Sequence, residues 1–555
     1  MAALSLFIEM WQQLQSNIFL LPLLLLSAYI LFSLTRSSSS GKNYKLPPSP
    51  PTLPLIGNLH QLGKFPHRSL RDLSKKYGDI MLMHFGKLPT LVVSSAELAK
   101  DMMKNQDIGF SGRPQTTAAT ILFFDGYNVA FAPYGEYWRK ARKVVVLELL
   151  SLKRVQQFQY ARVEECAELV SKIRKASAST NGDPINLGPL LVSTSNNIIC
   201  RCVLGQKFED KEDNWFEKVI KELMVQMMTF SFGDFYPSLK WVDRARGYIA
   251  RLKSIRREFD GFYDKLIDEH KAAQKDGKPR KKDIVDLLLD LEKDGSLDFE
   301  FNVKALMQDM FVGGSDTSWT SMLWLMSELS QNPRVMKKVQ EEVRRVAGKR
   351  GYVDESDIKE MKYLSCVITE NLRLHPPAPL LLPRETTADV KLGGYDIPAK
   401  TQVFVNAFAI QTDPRVWDKP EEFRPERFEE NSIGLVGQEF DLLPFGGGRR
   451  VCPGLAFAVA SAEYVLANLL FWFDWKLPSG GSKLAETLNM TEVFGLTVHK
   501  KTPLYLIPTP QGHFLVVPSY VNPVPASVIP SFAFSSEGYA FPEQTMLGGS
   551  RKQRV

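Results

Sequence analysis

The chain is poor in the residues that build disulfide frameworks and histidine metal sites. Its 555 residues include 5 cysteines and 7 histidines. The cysteines are odd in number and lack paired zinc spacing, so neither a disulfide-stabilised secreted fold nor a zinc site is favoured. Cys200 and Cys202 lie in an apolar stretch and are interpreted as helix packing. The histidines show no ligand spacing either, which leaves a His-ligated metal unsupported.

Neither sign of charge is in large excess. The 69 basic and 62 acidic residues leave a net charge of +7, and there is no dense Lys/Arg tract or nucleic-acid motif. No nucleic-acid partner is expected; the small basic surplus fits an acidic protein partner or lipid headgroups better. The chain also lacks a nucleotide-binding fingerprint, internal repeats and, between about 61 and 510, long low-complexity linkers.

One long apolar run is present near the N-terminus. Ile18 to Leu34 carries no charged residue and is just long enough to span a bilayer. Glu9 precedes the run and no Lys or Arg does, which is unlike the start of a cleaved signal peptide, the alternative here. Basic residues follow at Arg36, Lys42 and Lys45. The positive-inside rule therefore predicts a single-pass anchor with the bulk of the chain in the cytosol.

The sequence divides into four predicted parts. Residues 1–36 form the anchor region, and 37–60 a polar spacer followed by a proline-rich strut, whose prolines favour extended geometry. A proline-rich ligand for an SH3-like partner is the alternative for the strut. Residues 61–510 form one large domain, with no obvious second domain. Residues 511–555 lack periodicity and are expected to be a disordered tail, either functional or the product of an altered gene end.

Helical periodicity dominates the predicted domain, and strands are short. Apolar residues recur at helical steps in five segments, 139–159, 160–175, 214–228, 243–274 and 301–331. Strand candidates are 80–85, 90–93, 403–406 and 504–507, and the polar stretch 272–282 is predicted to be a loop. The expected fold class is mainly α with small β-sheets.

The most informative segment runs from Phe445 to Gly454. Its three consecutive glycines let a loop lie flat against a bulky planar group. Cys452 is predicted at the start of a helix, with Pro453 at the first helical position. The positive end of the helix and nearby Arg450 would favour a thiolate that can hold a metal. The alternative is a buried small hydrophobe.

The full pattern Phe-x-x-Gly-x-Arg-x-Cys-x-Gly resembles the haem-thiolate signature of the cytochrome P-450 family. The resemblance implies the cytochrome P-450 fold and haem b, whose iron is axially ligated by Cys452. The signature residues Phe445, Gly448, Arg450 and Gly454 are then expected at the cofactor. With the proline strut and the stretch 492–498, the chain is similar to the membrane-anchored plant microsomal group known as the A-type, or seventy-one clan.

Three further motifs support the resemblance. Gly313-Gly314-Ser315-Asp316-Thr317 lies mid-helix, where glycines are costly. Close helix packing is one explanation; the other, implied by the family, is oxygen activation with Asp316 and Thr317 passing protons. Glu370, Arg373 and Arg427 resemble a Glu-Arg-Arg triad with a structural role. Residues implied to reach the haem propionates are Trp138, Arg142, Arg384 and Arg450, while Arg139, Lys140, Lys143 and Arg449 remain for docking an acidic flavoprotein.

The implied reaction places one atom of O2 in a small lipophilic substrate, with electrons from NADPH through a separate NADPH-cytochrome P-450 reductase at the endoplasmic reticulum membrane. The substrate is expected to be a plant specialised metabolite, first a terpenoid, then an alkaloid or phenylpropanoid. Alternatives are a reductase-independent haem-thiolate isomerase or dehydratase and a non-catalytic haem-binding membrane protein. The predicted pocket residues are Ile121, Phe123, Phe124, Met310, Gly313, Ala378, Leu380, Leu381 and Phe494.

Overall fold

A computed structural model describes residues 22, 25–27, 29, 44–179, 182–207, 215–276, 281–295, 303–348, 350–430, 435 and 440–511. The predicted anchor falls almost entirely, and the predicted tail entirely, outside the described residues apart from Gln511. Helices dominate, as predicted. They are α1 Pro66–Tyr77, α2 Ala96–Lys100, α3 Thr117–Leu122, α4 Glu136–Val144, α5 Leu152–Gln157, α6 Gln159–Ser179, α7 Leu187–Leu204, α8 Trp215–Met228, α9 Phe232–Phe235, α10 Lys240–Ala245, α11 Tyr248–Lys275, α12 Ile284–Lys293, α13 Val303–Gln331, α14 Pro333–Ala347, α15 Lys362–Leu374, α16 Ala407–Gln411, α17 Arg427–Glu430, α18 Leu455–Trp472 and α19 Gly481–Leu488.

The strands are short and form four small sheets. They are β1 Ile80–Phe85, β2 Leu88–Val93, β3 Ile185–Asn186, β4 Arg384–Glu385, β5 Val390–Leu392, β6 Tyr395–Ile397, β7 Gln402–Val405, β8 Phe473–Lys476, β9 Glu492–Val493, β10 His499–Lys500 and β11 Tyr505–Pro510. The largest sheet has the order β1-β2-β7-β4, with β2 and β7 parallel and the other pairs antiparallel. All four predicted strands exist, within a few residues of their predicted bounds.

The core forms around two apolar helices that contact α13 along their lengths. Helices α7 and α18 are long and apolar enough to cross a membrane, yet 67% of each is buried inside the protein. Both contribute to the main hydrophobic cluster together with α13 and α6. The described part of the chain therefore uses these two helices as core elements, and Cys200 and Cys202 are buried on α7, as predicted.

Three predicted segments differ from the structure. The segment 139–159 is interrupted, because a π turn at Val145–Leu149 and the extended backbone of Ser151 separate α4 from α5. The segment 243–274 divides at Gly247, whose φ of 78° suits glycine and ends α10. The loop predicted over 272–282 is wrong at its start, since α11 continues to Lys275.

The described part of the predicted strut, from residue 44 onward, is attached to the domain. The amide of Leu82 in β1 donates to the carbonyl of Pro48 at 2.9 Å, and the Asn58 side chain donates to the carbonyls of Pro50 and Pro51. These bonds hold the proline segment beside the largest sheet. In a free strut, these carbonyls would be hydrogen-bonded to water. Because they are bonded to the domain instead, the described proline segment belongs structurally to the globular part.

Candidate cofactor and substrate site

A large cavity lies between α13 and the loop that precedes α18. Its walls are mainly apolar, with a group of arginines and the Cys452 sulfur at one side. The lining residues include Arg113, Phe123, Val129, Ala130, Phe131, Arg142, Leu150, Ile199, Met224, Asp309, Met310, Gly313, Gly314, Thr317, Ala378, Leu381, Leu382, Arg384, Phe445, Gly446, Arg450, Cys452, Gly454, Leu496 and Thr497.

Cys452 lines the cavity two residues before the N-cap of α18. Its backbone N–H donates to the carbonyl of Phe445 at 2.9 Å, which closes the loop. Burial raises the pKa of the Cys452 thiol, while the Gly454 amide and the charge of Arg142 lower it. The sequence-based choice of Arg450 as the nearby cation is therefore wrong. Coordination to a metal deprotonates a thiol outright, so burial does not oppose a metal–thiolate bond.

The helix after the cysteine begins later than predicted. Helix α18 starts at Leu455, and Gly454 is its N-cap, so Pro453 precedes the first helical position. The amide hydrogen of Gly454 is then free of the helix ladder and bonds the sulfur. This arrangement keeps the predicted dipole direction while placing Cys452 in the loop.

The three glycines of the loop lie against different neighbours. Gly446 lines the cavity with a φ of 69°. A Cβ on Gly447 would lie 2.9 Å from the Phe440 ring, and one on Gly448 would lie 2.4 Å from the Met103 carbonyl oxygen. The predicted contact of Gly448 with a cofactor is not supported, because it faces Met103 and solvent. Close protein backbone, in addition to a planar ligand, explains the glycine run.

Four arginines face the cavity: Arg113, Arg142, Arg384 and Arg450. Burial and the charges of Arg384 and Arg142 lower the pKa of Arg450 to about 9. Burial and the other three arginines lower the pKa of Arg113 well below its usual value. Among the described residues, Asp107 is the acid that pairs with this group, 3.3 Å from Arg384.

Hydrogen bonds hold the arginines in place. Arg384 donates to the Gly447 carbonyl at 2.6 Å, and Arg142 donates to the Val451 carbonyl. Arg450 lies 4.3 Å above the Trp138 ring. Trp138 itself donates to the Val129 carbonyl and is absent from the cavity wall, so it supports Arg450 rather than reaching a ligand as predicted. Arg113 was missed by the sequence analysis, since no motif surrounds it.

These residues fit haem. Buried guanidinium groups that repel one another and exceed their acids in number require an anion, and their planar forks suit carboxylates such as propionates. Cys452 lies in the same cavity, which Phe445 and Gly454 also line. The donor set combines one soft sulfur ligand with carboxylate-binding arginines, the combination that a haem-thiolate site needs.

The two glycines of α13 have different surroundings, and each fits one of the two explanations given for the motif. A Cβ on Gly314 would lie 2.8 Å from the Ile199 side chain, so this glycine permits close packing of α13 against α7. A Cβ on Gly313 would meet open space, since this residue faces the cavity. Thr317 also lines the cavity, and its hydroxyl donates to the Gly313 carbonyl at 2.7 Å.

Asp316 lies behind the cavity wall. Its carboxylate accepts from the Trp319 indole at 3.0 Å and from the hydroxyl of Thr497, which does line the cavity. The charge of Asp316 also acts on His499, whose pKa burial lowers. Thr497 was missed as a site residue, although it falls in the stretch 492–498 that the sequence analysis singled out. It connects Asp316 to the cavity.

Glu370, Arg373 and Arg427 form the predicted triad away from the cavity. Arg373 donates to both carboxylate oxygens of Glu370, at 2.7 and 2.9 Å, and Arg427 donates at 3.0 Å. The remaining guanidinium hydrogens meet backbone carbonyls, including those of Gln411 and Asp418. All three side chains are buried and partnered, which agrees with a structural role.

Five of the nine predicted pocket residues line the cavity: Phe123, Met310, Gly313, Ala378 and Leu381. The other four do not. Phe124 lies under the Arg256 guanidinium, 3.8 Å away, and Phe494 stacks on the His67 ring. Leu380 packs into a separate apolar cluster beside the largest sheet, and Ile121 packs against the main core. Neighbours in sequence point to opposite sides of the wall, which explains the errors.

The chain resembles known proteins over most of its length. The family model described as cytochrome P450 matches residues 47–506. A phenylacetaldehyde oxime monooxygenase of Prunus mume is 79% identical over 523 residues, which is 92% of this chain and 99% of that protein. Cytochrome P450 71A1 of Persea americana is 50% identical over 81% of this chain and 91% of its own length. Strychnine-11-hydroxylase of Strychnos nux-vomica is 46% identical over 84% of this chain and 91% of its own.

Solved structures agree with the sequence comparison. A zebra fish cytochrome P450 determined with abiraterone superimposes with a TM-score of 0.66 at 26% identity, covering 81% of this chain and all of that chain. The fold, the cavity beside Cys452 and the matched residues lead to one conclusion. The chain belongs to the cytochrome P450 family, within its plant A-type group.

Proposed function

We propose that this protein is a membrane-anchored monooxygenase that acts on phenylacetaldehyde oxime or a closely similar aromatic aldoxime. The observation that carries the substrate is the 79% identity to a phenylacetaldehyde oxime monooxygenase over 92% of the chain. The aromatic and aliphatic cavity wall, with Phe123, Phe131 and Met310, suits a phenyl group. In the reaction, the substrate, O2, NADPH and a proton give the oxygenated product, water and NADP+.

The terpenoid, alkaloid and phenylpropanoid classes stay predictions ranked behind the aldoxime. Strychnine-11-hydroxylase, at 46% identity, is named for an alkaloid, so relatives at that level oxidise different scaffolds. The much higher identity to the oxime enzyme therefore outweighs the general lipophilic character of the cavity. Monooxygenase activity itself follows from the family.

Members of the family bind haem b through a cysteine thiolate and receive electrons from a reductase. Bound there, haem supplies the redox chemistry that splits O2. Within this chain, Cys452 would hold the iron, while Arg113, Arg142, Arg384 and Arg450 would hold the propionates. Their excess positive charge supports this assignment, since an anion relieves the repulsion among them.

Proton delivery is assigned to three side chains. The Thr317 hydroxyl lies in the cavity and is oriented by the Gly313 carbonyl. The Thr497 hydroxyl donates to an Asp316 carboxylate oxygen, and its own oxygen can accept a hydrogen bond from water in the cavity. Asp316 can therefore exchange protons with the cavity through Thr497, while Trp319 fixes the other carboxylate oxygen.

The partner and location complete the proposal. Arg139, Lys140, Lys143 and Arg449 are exposed and supply positive charge for an acidic reductase. The anchor at 18–34 would place the protein in the endoplasmic reticulum membrane with residues 61–510 in the cytosol. The anchor region at 1–36 and the tail at 511–555 remain part of this proposal, whereas the strut residues from 44 onward are joined to the globular part.

The substrate is tested with the full-length protein reconstituted with its reductase. Phenylacetaldehyde oxime should displace haem-bound water, seen as a blue shift of the Soret band. The reaction under 18O2 should place one labelled atom in the oxygenated product and the other in water. A monoterpene alcohol should give a weaker shift. Turnover of the oxime without NADPH would favour the isomerase or dehydratase alternative, and preference for the terpenoid would reject the aldoxime.

The ligand assignment has its own test. Reduced wild-type protein with CO should show the red-shifted Soret band of a thiolate-ligated haem, and Cys452→Ala should lose it. Cys366→Ala is the matched control, because Cys366 is partly buried and lies outside the cavity wall. A band that persists in Cys452→Ala would reject Cys452 as the ligand.

A further inference from the structure

Asp309 is a partly buried acid that the proposed mechanism does not use. It lies on α13, one turn before Gly313, and lines the cavity. Among the described residues of the cavity wall it is the sole carboxylate. A carboxylate against an apolar wall is costly unless its oxygens are hydrogen-bonded, so its partners indicate why it is there.

The partners of Asp309 belong to one short segment, residues 128–132, which we term the wall segment. The Val129 amide donates to one carboxylate oxygen at 2.6 Å, and the Asn128 side chain donates to the other at 3.1 Å. The Ala130 amide is a third donor. Asn128 in turn accepts from the Phe131 amide at 3.2 Å. Asp309 thus holds, directly or through Asn128, the amides of three consecutive residues.

The carbonyls of the wall segment are held from the opposite side. Val129 accepts from Trp138 at 3.1 Å and from Arg450 at 3.3 Å. The Ala130 carbonyl accepts from Arg113 at 3.0 Å, and the Ala132 carbonyl from Arg450 at 2.7 Å. The wall segment therefore connects α13 to two of the arginines that face the cavity.

The same segment shapes the cavity. Val129, Ala130 and Phe131 all line it, and the Phe131 ring lies 4.8 Å from the Phe123 ring. The segment is not a regular helix or strand, so its backbone has no ladder of its own to fix it. Its position depends on side chains, and Asp309 supplies the acceptors for its N–H groups.

Burial has the largest influence on the pKa of Asp309. It raises the pKa of Asp309 to about 7, although the Val129 amide, the Asn128 side chain and the Ala130 amide each lower it. A carboxylate at this position lowers the stability of the fold relative to an apolar residue. The hydrogen bonds that it makes to the wall segment offset this cost.

We propose that Asp309 is a positioning residue that fixes the wall segment and thereby sets the shape of the substrate cavity, in concert with Arg113 and Arg450. The inference rests on the proposed function for its substrate but not for its geometry. Asp309 would act through Val129, Ala130 and Phe131, without contacting the reacting atoms. Arg113 and Arg450 would make the order of this wall depend on the cofactor that they bind.

The first test measures the wall segment directly. Hydrogen exchange by mass spectrometry on the haem-loaded protein should show peptides covering 128–131 exchanging about 10- to 100-fold faster in Asp309→Ala, the factor expected when amides lose a charged acceptor. Asp309→Asn keeps one acceptor oxygen and should lie between. The control is Asp290→Asn. Asp290 lies on α12, away from the wall segment, and its carboxylate pairs with Lys282, so this variant should match wild type.

The second test measures the cavity. Binding of 4-phenylimidazole, followed by the haem spectrum, should weaken about 10-fold in Asp309→Ala, and KM for phenylacetaldehyde oxime should rise more than kcat falls. The CO spectrum of each variant shows whether the thiolate site is intact. If Asp309→Ala does not fold, Asp309→Asn carries both measurements. The double variant Asp309→Asn with Asn128→Asp exchanges the two groups and should recover part of the exchange protection.

Unchanged exchange of 128–131 in a folded variant would overturn the inference, as would faster exchange with unaltered 4-phenylimidazole binding and unaltered KM. Neither the exchange nor the imidazole measurement requires the oxime. If both respond as expected while the oxime is not oxidised, the inference stands and the proposed substrate falls.

Discussion

The protein contains two buried groups of arginines that differ in how far their positive charge is offset. Around the cavity, Asp107 pairs with Arg384 and its charge also acts on Arg450, while burial and mutual repulsion lower the pKa of Arg113 and Arg450. In the triad, Arg373 and Arg427 share Glu370, and the remaining donors meet carbonyls. The difference teaches that burial alone does not mark a binding site. The four cavity arginines, with one acid among them, need a further anion, whereas the triad has one acid for two arginines and carbonyls for its other donors, and is complete without a ligand.

The largest expected effect comes from removing the acid of the triad. Glu370→Gln leaves two buried guanidinium groups without a counter-ion and should destabilise the protein by about 3–5 kcal/mol. We expect little folded, haem-loaded protein, measured as the yield of the CO band and by thermal unfolding. A folded variant of near wild-type stability would show that the carbonyls alone suffice to hold the arginines.

The next prediction compares two variants, one that removes an arginine of the cavity group and one that removes an arginine of the triad. Arg142→Gln relieves repulsion and retains a donor for the Val451 carbonyl, so the apoprotein should keep its stability while haem dissociates faster, by about tenfold for a lost hydrogen bond to a charged group. Arg427→Gln should do the reverse, lowering the unfolding temperature with little direct effect on haem release. Equal losses of stability in the two variants would remove the distinction between the groups.

A smaller effect is expected where an acid has neutral partners. Asp316 is held by Trp319 and Thr497 rather than by an arginine, so its charge remains available for proton transfer. Thr497→Val should raise the peroxide released per NADPH severalfold, as Thr317→Ala should, because protons no longer reach the cavity by the normal route. Thr497→Ser keeps the hydroxyl and is the control. Tight coupling in Thr497→Val would exclude it from the relay.

The smallest effect concerns a pair whose balance depends on pH. His270 Nε2 lies 2.9 Å from an Asp283 oxygen. Burial lowers the pKa of His270, but the Asp283 hydrogen bond and charge outweigh it, and the folded-state pKa is raised. The stabilisation is therefore complete below the unfolded value of about 6.5 and is lost as the pH rises through the raised folded pKa. His270→Gln should flatten this part of the stability profile, measured as the unfolding temperature between pH 5 and 9.

Some of the site could be predicted because its residues lie close together in the sequence. Phe445, Gly446, Cys452 and Gly454 form one loop, and all four line the cavity. Thr317 and Gly313 are one helical turn apart, so their shared face follows from helix geometry. The triad required a spatial match between Glu370 and Arg427, and the family resemblance supplied it.

Other residues could not be predicted because their roles depend on chain segments far apart in sequence. Arg113 and Thr497 reach the cavity from opposite ends of the chain, and Asp309 meets residues 128–130 only after α13 is in place. Ile121 and Phe124 were assigned to the pocket beside Phe123, yet Ile121 packs against the core from α3, and a 3-10 turn with positive φ at Phe124 directs the latter elsewhere. Local periodicity does not specify such turns.

The sequence by itself determined the signature loop around Cys452, the mainly helical fold class and the family chemistry, since each depends on residue types at short, fixed spacings. The tertiary structure alone decided which arginines share the cavity, that Asp316 reaches it through Thr497, and that Asp309 holds its wall. Charge balance and hydrogen bonding act through space, with energies set by burial. Residues distant in sequence therefore acquire their roles only when packing brings them into one desolvated volume.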